Sequence, residues 1–188
     1  MTPAESSAAN PAADMEPSER PFRISLTNET EVAVNPARVV RAIELALSEV
    51  DYDDVTVSVA VVDDETIHEL NRQFLKHDYP TDVLSFVLED ESPRLEGEIV
   101  VSVDTARQNA AEAGWSPDDE LTLYIVHGAL HLAGYRDKSP ADAAEMRQAE
   151  AAVLDQLGIV RSSSDPRWQP EASESDSAAE LDEEEPPL

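Results

Sequence analysis

The segment Leu121–Gly134, LTLYIVHGALHLAG, constrains the fold more than any other stretch of the chain. Its apolar residues fall on every side at helical spacing, so a helix here has no face to give to water. It must run through the core, with the other elements layered around it. Ser116-Pro117-Asp118-Asp119 supplies a helix start and Gly134 a stop. Two histidines, His127 and His131, interrupt the apolar run. Four residues apart, they project from one face, about one turn from each other. Buried imidazoles without partners are costly, so the pair needs a chemical reason.

The remaining segments predict a single α+β domain. VTVSVAVV, Val55–Val62, is a β-branched run and reads as a strand. Further strands are expected at Asp82–Leu88 and at Glu98–Val103, the latter bounded by Gly97, with Ile24–Asn28 as an edge strand. Asn35-Pro36 starts a helix whose apolar stripe is Val39, Val40, Ile43, Leu45, Leu47 and Val50. Asp63 or Asp64 caps a helix through Ile67, Leu70 and Phe74; Asp104 caps another that ends near Gly114. A last helix spans about Pro140–Leu157. The order β-α-β-α-β-β-α-α-α predicts a small mixed sheet covered by helices, with the histidine pair on a core helix.

This body covers residues 21–161 of 188. Residues 1–20 and 162–188 are rich in Ala, Ser, Pro and Glu, and are expected to be disordered tails without a packing role. An interaction tail is the alternative for such acidic ends. No apolar run approaches the roughly 18–20 residues of a membrane helix. The first residues lack the apolar region of a secretory signal, so a cytoplasmic location is expected. The net charge is −28, and residues 22–160 alone hold 28 acids against 10 bases. Such a body disfavours non-specific coating of nucleic acid, which draws its affinity from basic groups. It leaves room for a small metal-dependent site.

The chain has no cysteine, so a metal must be held by His, Asp or Glu. After Gly134 the polar loop Tyr135-Arg136-Asp137-Lys138 returns toward the histidines, and Asp137 can reach back as a third, oxygen ligand. Two His and a carboxylate, with one position left for water, is a familiar catalytic zinc set. The bare spacing also fits two inert, hydrogen-bonded histidines. The HExxH of zinc proteases is absent, because Gly128 stands where their glutamate would be. A small residue there keeps the helix face open and supplies no base, which weakens a peptidase or general zinc-hydrolase reading.

Several blocks in this order carry a resemblance. They are LNRQF at Leu70–Phe74, PTDVLSF at Pro80–Phe86, GEIVVS at Gly97–Ser102, HGALHLAGY at His127–Tyr135, and Met146 in the final helix. Across roughly Ile24–Leu157 the sequence resembles the YbeY family of bacterial metal-dependent endoribonucleases. The resemblance implies a single-strand-specific RNase acting in 16S rRNA 3′-end maturation and ribosome quality control. It implies ribosomal RNA and the small ribosomal subunit as partners; the ligand set suits one zinc ion as cofactor, with nickel or another first-row ion able to occupy it. The family pattern HGxLHLxGYDH places its first two ligands on His127 and His131. Its last His falls on Asp137 and its Asp on Arg136. The family's LNxxYR arginine falls on Leu75, so Arg72, Lys76 or His77 would have to supply the cation that steadies a phosphate. The resemblance therefore implies His127, Arg72 and Lys76 as catalytic residues, and His127, His131 and Asp137 as metal ligands. It puts Thr81 and Asp82 near the cleft. A ribosome-associated binding factor with a structural metal is the alternative, favoured by Leu75 and by the acidic body.

Overall fold

Burying a helix on all sides requires layers, and a computed structural model, which describes residues 22–161 and 165–168, shows how the chain supplies them. The elements are β1 (Phe22–Asn28), α1 (Pro36–Ala46), β2 (Asp54–Val62), α2 (Asp64–Leu70), a π-helical turn (Asn71–Leu75), β3 (Val83–Glu91), β4 (Arg94–Ser102), α3 (Val103–Ala113), α4 (Pro117–Leu132), α5 (Pro140–Gln156) and a 3₁₀ turn (Pro166–Trp168). The four strands form one sheet in the order β1-β2-β4-β3. β1, β2 and β4 are parallel and β3 runs antiparallel to β4 at one edge. β1 is the other edge, as its sequence predicts. The two expected tails lie outside the described residues, apart from the short segment Asp165–Trp168.

The alternation of the strands divides the core. Val57, Val59 and Val61 of β2 and Ile99 and Val101 of β4 face the large cluster that holds α1 and α4. Val62, Leu84 and Val100 point the other way, onto Ile67 of α2. The long apolar helix is α4, and it packs against α1, α3, α5, β3 and β4. It lies so close to the sheet that a Cβ on Gly128 would stand 2.8 Å from Ile99 Cγ2 and 3.0 Å from Ser85 Oγ. Gly128 therefore serves close helix–sheet packing, which corrects its reading as a residue that keeps the face open. Gly97 is similar. It lies inside β4 rather than bounding it, because a Cβ there would meet Leu132 Cδ1 at 2.6 Å.

Caps fix where the helices begin. Asn35, Ser116 and Ser139 each stand before a proline, and each accepts a backbone N–H of the first turn through its side chain. Of the two candidates before α2, Asp63 is the cap and accepts from the Thr66 N–H. The cap of α3 is Ser102, not Asp104. β4 runs straight into the helix, so the last strand residue turns its hydroxyl to the Thr105 N–H and Asp104 sits in the first turn.

The body extends past Arg161. The Arg167 guanidinium donates to both carboxylate oxygens of Glu120, at 2.6 and 3.0 Å, and to those of Asp165. Glu120 is wholly buried on α4 and Asp165 nearly so. Trp168 stacks on Trp115, with ring centroids 6.3 Å apart and planes 9° from parallel. Trp168 is thus part of the packing. No periodicity in the chain reveals this, because four residues bounded by polar stretches have none. Replacing Arg167 with Ala leaves the buried Glu120 carboxylate without its partner. Urea denaturation should register a loss of about 3–5 kcal/mol; a loss under about 1 kcal/mol would show the pair to be dispensable.

Candidate metal centre

The stripe of α4 that carries the histidines is polar from end to end. Glu120, Tyr124, His127 and His131 recur at spacings of four, three and four, which keeps them on one face. Each has a partner: Arg167 for Glu120, the Asn109 side-chain amide for the Tyr124 hydroxyl, and others for the histidines. Burial, reinforced by the Glu120 charge, pushes the Tyr124 phenol well above its ordinary value. It remains a neutral phenol at physiological pH.

Each histidine is oriented from behind. The His127 Nδ1–H donates to Glu150 Oε1 at 2.6 Å, and the His131 Nδ1–H donates to the Tyr135 carbonyl at 3.0 Å. A carbonyl and a carboxylate can only accept, so these bonds fix both tautomers and leave each Nε2 with a lone pair. The helix end makes the second bond possible. Gly134 turns with φ +93°, and the Tyr135 N–H closes back on the Leu130 carbonyl. That turn brings the Tyr135 carbonyl against His131 and starts the loop to Asp137.

The three predicted ligands converge. The two Nε2 atoms are 2.9 Å apart, and each is 3.6 Å from Asp137 Oδ2. Three donors around a tetrahedral zinc ion, with bonds of about 2.0–2.2 Å, are separated by about 3.3–3.5 Å. The observed triangle straddles that separation. Two imidazole lone pairs facing each other at this distance are stable only with a cation between them, either a proton or a metal ion. Electrostatics agree. Burial works to lower the His127 pKa, but the hydrogen bond and charge of Glu150, with Asp82 and Asp137 behind it, outweigh burial and raise it. His127, His131 and Asp137 thus form a set that can bind one metal ion, and they are the only such cluster among the described residues.

Other candidates lie elsewhere. Arg72 is exposed on the π-helical turn, and the Lys76 ammonium donates to the Gln73 carbonyl. Leu75 is half-exposed beside them. His77 is exposed, stacks on Tyr79 and lies outside the ligand cluster, and His68 pairs with Asp78. Asp82 lines a cavity with His127 and also accepts from the Thr81 hydroxyl and the Val83 N–H, so it is both a turn cap and a neighbour of the site. Glu150 was missed. Its signal was its place between Met146 and Leu154 at helical spacing, a carboxylate on the buried stripe of α5.

A helix-borne histidine pair and a loop carboxylate, on a four-stranded mixed sheet, define a protein with one cluster that could hold a metal ion among its described residues. A family model described as Endoribonuclease YbeY matches residues 25–158, and the chain belongs to the YbeY family. It is 48% identical over 132 residues to Endoribonuclease YbeY of Rhodopirellula baltica, covering 69% of this chain and 64% of that protein. It is 38% identical over 151 residues to that of Chloroflexus aggregans, covering 74% and 99%. The solution structure of TM1509 from Thermotoga maritima is 31% identical, with a TM-score of 0.48, over 73% of this chain and 91% of that one.

Two substitutions test the site. Asp137→Ala removes the oxygen donor, and metal content per chain, read by elemental analysis after dialysis, should fall well below that of the parent protein. Glu150→Gln keeps the shape but weakens the hold on His127, and chelator competition should show metal affinity reduced by about 10–100-fold. Unchanged affinity in the second variant would mean that Glu150 does not orient the ligand.

Proposed function

We propose that this protein is a zinc-dependent endoribonuclease that cuts single-stranded RNA. The observation that carries the reading is the convergence of two lone-pair nitrogens and one carboxylate oxygen on a point where both imidazoles are held from behind. Membership of a family whose members are described as endoribonucleases supplies the substrate class. His127, His131 and Asp137 would hold the ion. When bound, zinc in such a set lowers the pKa of water to about 7 and polarises a phosphoryl oxygen. Glu150 and the Tyr135 carbonyl keep the imidazoles in the tautomer that ligation needs. Arg72 and Lys76, on the turn that leads toward Asp82, would steady the phosphate in place of the arginine that Leu75 replaces.

The biological substrate that fits this reading is ribosomal RNA, at the 3′ end of 16S rRNA, within small-subunit maturation and ribosome quality control in the cytoplasm. A second reading is a factor that binds the small subunit with little RNase activity. One observation favours it: Leu75 puts a half-exposed apolar side chain where the family pattern has a cation. Zinc-loaded protein incubated with labelled single-stranded RNA separates the two. The first reading expects cleavage that His131→Ala abolishes. Equal cleavage by that variant would place the activity elsewhere. No cleavage by the parent, together with co-sedimentation with small subunits, would favour the second.

A further inference from the structure

Beside His127 lies a cavity of about 260 Å³ that is built only in part by the family domain. α4 contributes Leu123, Tyr124 and His127, α5 contributes Arg147 and Glu150, and Asp82 closes one side. The remaining wall is Arg167 and Trp168, which lie beyond the residues 25–158 that match the family model. That wall is firmly fixed. Arg167 is clamped between Glu120 and Asp165, and Trp168 is held by Trp115 and by the Arg161 guanidinium, 5.3 Å from its ring centroid. The chain thus spends its deepest ion pair on holding a short strap against the cavity next to the metal ligands.

The lining combines apolar surface with charges of both signs, Asp82 and Glu150 against Arg147 and Arg167. Leu123 and the Trp168 indole are apolar surfaces suited to the face or edge of a base. Arg147 brings a basic side chain to the same wall as Glu150, in a chain with 13 basic residues against 41 acidic ones. The volume lies just below the range of drug-sized ligand pockets, so it suits a single small unit rather than a run of chain. His127 belongs both to this cavity and to the ligand cluster, so the cavity adjoins one of the three candidate ligands, on the side where Glu150 holds its Nδ1. We propose that the strap Asp165–Trp168 completes a subsite for the nucleotide that flanks the scissile phosphate, with Trp168 and Leu123 against the base and Arg147 toward its phosphate. The inference rests on the RNA-cleaving reading, and it makes Trp168 a positioning residue.

The test uses the full chain loaded with zinc and a short oligoribonucleotide, with binding followed by fluorescence anisotropy and cleavage by gel. Trp168→Ala leaves the Arg167–Glu120 pair in place and removes the wall. Oligonucleotide affinity should fall about tenfold, and KM should rise alike while kcat stays within about twofold. Trp168→Phe keeps an aromatic wall and should restore most of the affinity; metal content should be the same in all three proteins. Arg147→Gln should weaken binding and flatten its salt dependence. Parental affinity and KM in Trp168→Ala would overturn the subsite while leaving the RNase reading intact. Loss of metal or of folded structure in Trp168→Ala, with full function in Trp168→Phe and no effect of Arg147→Gln on binding, would overturn it in favour of a purely structural strap. Failure of the parent protein to bind or cleave the oligonucleotide would overturn the RNase reading, and the subsite with it.

Discussion

The structure depends on one requirement: α4 is buried along its length, so every polar group it carries into the interior must be answered there. Leaving even one such group unpaired costs on the order of 1–3 kcal/mol, and more for a charge. The answers come from four different parts of the chain. Arg167 arrives from beyond the family domain, Asn109 from α3, Glu150 from α5 and the Tyr135 carbonyl from the turn at the helix's own end. The positions of α3, α5 and the strap are tied together by these demands, as well as by apolar packing. The candidate metal site is the one place on the stripe where the two histidine nitrogens meet each other and need a cation to be compatible.

The close approach of α4 to the sheet is the second half of this arrangement. Gly128 and Gly97 both occupy points where a methyl group would overlap a neighbour. With Gly128 against the sheet, His127 and His131 lie on the adjoining flank of α4, where Asp137 and Glu150 of α5 meet them. The residue that stands where the protease motif has its glutamate therefore faces the sheet.

Much of this was legible in the chain itself. Three cap-proline pairs, Asn35-Pro36, Ser116-Pro117 and Ser139-Pro140, fix helix starts through chemistry that acts within a single turn. The β-branched run of β2 and the four-residue spacing of the histidines are equally local. What could not be read depended on contacts distant in sequence. Gly97 looked like a strand boundary because nothing nearby shows that Leu132 lies over it. Asp104 looked like a cap because the direct run of β4 into α3 is a tertiary fact. Glu150 is 23 residues from His127, and Arg167 is 47 from Glu120. Asp137, by contrast, could be brought beside the histidines from the sequence because its loop is short and the glycine before it forces a return.

That return at Gly134 has a consequence for how the centre can vary. All three ligands lie within a single short stretch, from His127 to Asp137, and the closing loop is half exposed while the helix beneath it is packed on all sides. Exchange of the third donor is therefore a surface event: an imidazole or a carboxylate can be tried at the loop without disturbing a core side chain. The two helical ligands have no such latitude. The cluster is fixed where it meets the core and open to substitution where it meets solvent, so its third donor can be exchanged with little disturbance to the packing.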